Sequence, residues 1–134
     1  FASYEKETQT LLRSIPGIGL LTAAALVAFI GDIRRFSAPD KLVAYIGLDS
    51  RVYESGTSVR GKGHISKRGN KYLRHILFNA AFIARRHQPE LKAYFAKKRL
   101  EGKHYLSAMC AVEHKLVRLV WAVWTRRTPF LKRS

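Results

Sequence analysis

Residues 70–87, NKYLRHILFNAAFIARRH, decide the fold. Leu73, Ile76, Leu77, Ala80, Ile83 and Ala84 recur at three- and four-residue spacing, which is the period of a helix with one apolar stripe. Phe78 and Phe82 widen that stripe, so this helix is expected at the centre of the molecule, covered on more than one side, with Asn70 as its N-cap. Downstream, Pro89 opens a second helical stretch, PELKAYFAKKRLEG, which Gly102 ends. A long last helix follows over about 105–125.

Upstream the pattern changes. Residues 47–74, GLDSRVYESGTSVRGKGHISKRGNKYLR, hold Gly56, Gly61, Gly63 and Gly69 beyond Gly47, too many for one regular helix. Residues 47–70 therefore read as a long, basic, Gly-rich loop, or as a loop with a short β-hairpin in which Val52 and Tyr53 pair near Val59. Before it come helices over about 3–14 and 20–31, and a third that starts at Ser37 or Asp40 and buries Leu42, Val43, Tyr45 and Ile46. Pro16-Gly17-Ile18-Gly19 separates the first two, and residues 11–31 fit a helix-hairpin-helix. The fold class is all-α: a helical bundle with one long insertion, a single domain over 1–134. The chain opens on Phe1 and reads as a piece of a longer protein.

Charge narrows the partners. Lys and Arg number 25 against 9 Asp and Glu, a formal charge of +16. Such self-repulsion is relieved by a polyanion, and nucleic acid is the default one. A membrane is disfavoured, because the longest apolar run, residues 20–30, falls short of the ~18 residues a spanning helix needs. The single cysteine, Cys110, makes no internal disulfide, reads as a small core residue and fits a reducing cytoplasm.

Each motif carries a chemical and a plain reading. In LLRSIPGIGLLTAAAL, the backbone N–H groups around Gly17 and Gly19, at the start of the next helix, suit a phosphate oxygen, with Arg13 and Ser14 as helpers. The plain reading is a Pro-Gly turn that merely joins two helices. Ser55-Gly56 stands ahead of Arg60, Lys62, Lys67, Arg68, Lys71 and Arg74, which offers a hydroxyl nucleophile and cations for a developing phosphorane charge. On local chemistry alone, an ordinary turn at Ser55-Gly56 is the better reading. Ser66 suits capping or phosphate binding beside Lys67 and Arg68. Lys71 and Arg74 project from the first turn of a helix, where cations oppose the dipole and so suit a ligand. No acidic or histidine spacing suggests a metal site, and His64 is a loop residue or a phosphate contact before it is a general base. Glu113 falls within the apolar arc of the last helix, where it must be ion-paired, raised in pKa or at an interface; a pair with a buried Arg or His is expected.

Taken together, SIPGIGLLTAAALVAFIGDIRRF and LVAYIGLDSRVYESGTSVRGKGHISKRGNKYLRHILFNAA resemble the C-terminal domain of IS-one-ten-type insertion-sequence transposases. The similarity extends weakly through AMCAVEHKLVRLVWAVW to Pro129-Phe130. The resemblance implies a two-part recombinase, in which a RuvC-like domain with a DEDD acidic set holds Mg²⁺ and this domain supplies a serine. The family serine maps onto Ser55, whose attack would give a covalent phosphoserine link to DNA. It also implies donor and target DNA as partners, a guide RNA that pairs with both, and a homo-oligomeric full-length enzyme. This chain carries no RuvC-like portion and no cofactor of its own, so it is expected to bind nucleic acid without recombining DNA alone. Glu54 stands before Ser55 where the family more often has Gln.

Overall fold

The structure, a computed structural model, describes residues 2–48 and 68–131, with the side chains of 3–48 and 71–131. Among the described residues six α-helices follow one another: α1 (Ala2–Arg13), α2 (Leu20–Ile30), α3 (Pro39–Ile46), α4 (Arg68–His87), α5 (Pro89–Leu100) and α6 (Tyr105–Arg126). A short 3₁₀ turn, Ile33–Arg35, lies between α2 and α3, and no strand occurs among the described residues. The all-α bundle expected from the sequence is what forms. The β-hairpin considered for Val52, Tyr53 and Val59 lies outside the described residues.

Helix α4 is the central column and packs against α2, α3, α5 and α6. Its Leu73, Leu77, Ala80, Ala81 and Ala84 are buried. The small residues among them let neighbouring backbones come close. Gly17 uses that room: an ideal Cβ built on it would lie 2.4 Å from the Ala80 carbonyl oxygen and 3.0 Å from the Ala84 Cβ. At the other end of the same pairing, the Phe29 and Tyr72 rings stand 5.6 Å apart, so α2 runs antiparallel to α4. The α1–α2 hairpin is thus seated by its turn on the C-terminal half of α4.

Local chemistry sets the helix ends. Pro39 occupies the start of α3, after Ala38, and Gly47 closes it in the left-handed region at φ 87°, its N–H reaching the Val43 and Ala44 carbonyls. The α5 start is capped by buried Gln88, whose Oε1 accepts from the Leu91 N–H at 2.8 Å. At α6, Trp124 Nε1 donates to Tyr4 Oη at 3.3 Å, and Trp121 Nε1 donates to the Phe36 carbonyl at 2.9 Å. Ser14 Oγ accepts from the Phe130 N–H at 2.8 Å and so ties the chain beyond α6 to the hairpin turn.

Three expectations need correction. Helix α3 begins at Pro39, rather than at Ser37 or Asp40, because a ring-fixed φ suits the first helical position. Helix α4 begins at Arg68, so residues 68–70 belong to the helix and not to the loop, and Asn70 is not its cap. First-turn N–H groups need no intrahelical acceptor, and the buried Leu73 and Leu77 just beyond provide the anchorage, so Gly69 is tolerated there. Phe82 and Ile83, read as part of the buried stripe, are 37% and 46% exposed, because the helices around α4 leave that side open.

Replacing Gly17 by Ala is expected to cost about 2 kcal/mol or more in urea unfolding, since φ +92° and the Ala80 carbonyl both oppose a Cβ. Gly19→Ala meets no atom within 4 Å and should cost less than ~1 kcal/mol, the scale of an N-cap preference. Equal losses at the two positions would show that the close approach to α4 is not what Gly17 provides.

Candidate nucleic-acid interface

The residues matter here by where their charge goes. Several cations are used by the fold itself. Arg127 lies 4.3 Å over the Tyr4 ring and donates to Thr8 Oγ1 at 2.7 Å. Arg35 lies 5.0 Å over both the Phe36 and Tyr45 rings and donates to the Ile30 carbonyl at 2.8 Å. Arg85 is held between the Phe82 and Phe95 rings at 5.2 and 4.4 Å. These guanidiniums are stacked and half-bound, and a ligand would compete with the fold for them.

A different set remains on the surface, in which Arg86 also lies 5.7 Å over the Phe82 ring. Helix α4 contains no acidic residue, and neither does the sequence from Ser55 to Pro89. Its exposed positions include Lys71, His75, Asn79, Phe82 and Arg86, successive turns of one outward side. The start of α2 lies at the C-terminal half of α4, where Gly17 meets Ala80 and Ala84. Gly19 precedes that helix without a side-chain cap, and Leu20 and Leu21 are exposed. The first backbone N–H groups of α2 have no intrahelical acceptors and sit at the positive end of its dipole. Together α2 and α4 present amide donors, cations, an amide side chain and an aromatic ring, with no carboxylate among them. That combination suits a sugar–phosphate backbone.

The groove between α5 and α6 is less suited. It is a cavity of about 480 Å³ lined by Tyr94, Lys97, Lys115 and Arg118, but Glu90 also lines it and Asp40 is ion-paired to Arg118. Lys115 additionally sits 4.4 Å over the Tyr94 ring. The acid-free α2–α4 surface is the better anion site.

Among the site residues expected from sequence, Lys71 is exposed, as a phosphate contact requires. Gly19 stands at the open start of α2, whereas Gly17 is packed against α4. Arg74 does not project into solvent: it is half-buried, and its Nη1 donates to the Ile46 carbonyl at 3.1 Å, at the C-terminal end of α3. Ser14, offered as a helper, is occupied by the Phe130 N–H. Ser55, Arg60, Lys62, Ser66 and Lys67 lie outside the described residues, as do His64, Glu54 and the side chain of Arg68. The sequence reading overlooked His75, Asn79 and Arg86; the signal for them is the long acid-free stretch.

Beneath the α3 end lies a second polar cluster. Cys110 Sγ donates to the Leu48 carbonyl at 3.8 Å, and His114 Nε2 donates to the same oxygen. Between those two residues on α6, Glu113 is fully buried, and neither carboxyl oxygen has a hydrogen-bond partner among the described residues. Burial pushes its pKa up to about 8, against the opposing pull of the Arg74 charge. The ion pair expected for Glu113 is therefore replaced by a raised pKa near a guanidinium that is bonded elsewhere. Among the described residues no group of three or more His, Cys, Asp or Glu could hold a metal ion, and no helix is long and apolar enough to cross a membrane.

The unfolded chain releases the Glu113 proton near its ordinary value of 4.5, and the folded chain releases it near 8. Between those values the folded state holds the extra proton, so stability is full below the lower value and falls as pH rises to the upper one. The loss approaches ~1.4 kcal/mol per pH unit at most. Urea unfolding from pH 5 to 9 should show Glu113→Gln lacking that part of the decline. Parallel pH profiles for the two proteins would exclude a buried, proton-holding Glu113.

Comparison with known proteins gives a consistent result. Residues 9–96 match the model of the "Transposase IS116/IS110/IS902 family". The chain is similar to the transposase for insertion sequence element IS1111A of Coxiella burnetii, 36% identical over 122 residues that cover 89% of this chain and 33% of that protein. It is also similar to the transposase for insertion sequence element IS1328 of Yersinia enterocolitica, at 34% identity over 96% of this chain and 39% of that protein. A pilin gene-inverting protein of Moraxella lacunata is 34% identical over 92% of this chain and 39% of its own length. The chain thus spans about a third of the length of these relatives. No solved structure matches it.

Proposed function

The chain belongs to the IS116/IS110/IS902 transposase family, and from that premise we propose that it is the DNA-holding, serine-bearing part of a transposase. The observation that carries this reading is the extent of the family match. Residues 9–96 run without a break through the α1–α2 hairpin, the segment with Ser55 and the acid-free helix α4. Two relatives are named as transposases and another as a gene-inverting protein, and both names describe exchange of DNA strands.

In this reading, the uncapped start of α2 with Gly19 and the outward side of α4 hold the sugar–phosphate backbone as a helix-hairpin-helix module does, without reading bases. Ser55 Oγ attacks a phosphodiester: its bond to phosphorus forms as the bond from phosphorus to a deoxyribose oxygen breaks. The serine proton passes to a base, and the departing oxygen takes up a proton. A later attack by a strand hydroxyl on the phosphoserine reverses the exchange and frees the serine, so the phosphodiester is conserved rather than hydrolysed. Arg60, Lys62, Ser66, Lys67 and Arg68 surround this chemistry in sequence and stabilise the phosphorane charge or hold the strand. Donor and target DNA, a guide RNA and other copies of the full-length protein are the partners. Mg²⁺ is expected in a RuvC-like portion of the full-length protein.

The test uses the full-length transposase with labelled donor and target DNA and its guide RNA. Ser55→Ala should abolish covalent protein–DNA adducts, a loss of about 10³-fold or more, and leave DNA binding within about twofold, while Ser66→Ala keeps the adduct. Adducts that survive Ser55→Ala sink the serine assignment, and a complex that assembles without any adduct favours a non-catalytic DNA-holding module. For binding, Lys71→Ala and Arg86→Ala should each weaken affinity for all sequences alike and reduce the salt slope by about 1. An unchanged slope in both variants would remove the outward side of α4 from the interface.

A further inference from the structure

The α3 C-terminus is fastened from two helices. Arg74 of α4 donates to the Ile46 carbonyl at 3.1 Å, and its Nη1 would lie 2.7 Å from a Cβ built on Gly47. From α6, Cys110 and His114 both meet the Leu48 carbonyl. Leu48 is the last described residue before the segment that holds Ser55, and α4, which starts at Arg68, is where that segment ends. Leu48, where the segment leaves α3, is therefore held at a corner of the bundle built by α3, α4 and α6. At that corner lies Glu113, fully buried, its carboxyl without a hydrogen-bond partner among the described residues, within the field of Arg74. A buried carboxyl that only filled space would be better replaced by Leu or Gln, because its ionised form finds no solvent there.

We propose that Glu113 is a positioning residue: its carboxyl group decides whether the Arg74 guanidinium stays on the Ile46 carbonyl, and so fixes where the serine-bearing segment leaves α3. As the neutral acid, Glu113 makes no strong claim on Arg74, which stays bound to Ile46 and lies over Gly47. Once ionised, it is an unpaired charge in a dry site, and the nearest relief is the guanidinium. Arg74 then swings off the α3 end. The charge that acts on Glu113 is that of Arg74 from α4, and Cys110 and His114 are its neighbours along α6, both turned to the Leu48 carbonyl. Helix α3 carries Asp40 and Lys41, exposed at its opposite end, and Tyr45, whose hydroxyl donates to the Phe29 carbonyl. Burial places the changeover near pH 8, within reach of ordinary conditions. The effect on chemistry rests on the serine reading above; the effect on the α3 end does not.

Two measurements on the full-length protein, wild type and Glu113→Gln, test this. The first is the rate of Ser55-dependent adduct formation from pH 6.5 to 9.5. Wild type should lose up to about tenfold per pH unit above pH 8, while Glu113→Gln matches wild type at pH 7 and lacks that fall. The second is amide hydrogen exchange at Gly47 and Leu48, whose N–H groups bond to the Val43 and Ala44 carbonyls. Corrected for intrinsic exchange, their protection should drop severalfold above pH 8 in wild type and hold in Glu113→Gln. A Glu113→Gln protein of normal melting temperature that keeps the wild-type fall in either measurement overturns the proposal. If wild type forms no serine adduct at all, the serine reading fails, and the exchange measurement alone decides the role of Glu113.

Discussion

The close approach of Gly17 to the backbone of α4 is the constraint on which the arrangement depends. A turn that touches the Ala80 carbonyl admits no side chain, and the facing residues of α4 must themselves be small, as Ala80 and Ala84 are. With that contact made, α2 lies antiparallel along α4, and α1 is carried against α6. The arrangement follows from packing: the open start of α2 is brought to the C-terminal half of α4 because a glycine and two alanines leave no space between their elements. Loosening that contact would move the amide donors away from α4 without changing any of them.

Charge in this chain does two kinds of work. The formal +16 suggests a surface crowded with free cations. Yet Arg35, Arg85 and Arg127 lie over aromatic rings, Arg74 holds a helix end, and Arg118 is ion-paired. Guanidinium suits such duty because it is planar and weakly hydrated, so it covers an aromatic face and still donates to a carbonyl. Lysine does this less well, and Lys71 on α4 is exposed. The arginine of a basic protein therefore cannot be counted toward polyanion binding until its neighbours are known.

This is also why the sequence disclosed the fold more fully than the site. Helical periodicity, Pro89 and Gly102 mark elements and ends through forces that act within a few residues, and the six helices were legible from them. Periodicity also put Glu113 within the apolar arc of α6, where it is buried. What periodicity cannot report is which side of an apolar stripe a neighbour will cover. Phe82 and Ile83 extend the stripe of α4 yet remain partly exposed, since the helices packed around α4 stop short of them. Arg74 shows the same gap from the polar side. Three residues from Lys71 on the same helix, it reads as a second phosphate ligand, but its partner is the Ile46 carbonyl 28 residues away. No local pattern encodes that distance in the fold.

Arg74 and Glu113 bear on how the end of α3 is held. A helix C-terminus leaves carbonyls without intrahelical donors, and something must satisfy them. Here α4 and α6 supply the donors, through Arg74, Cys110 and His114, so the end of α3 is held by tertiary contacts as well as by the Gly47 turn. Such an end is stiff only while its donors stay in place. An ionisable carboxyl within the field of one of them, Arg74, makes that stiffness conditional, because the same guanidinium can serve a carbonyl or a carboxylate, and the carboxylate is the better acceptor. A purely apolar residue at position 113 would fill the space at lower cost in burial and would give the α3 end a single setting. The retained carboxyl gives it two.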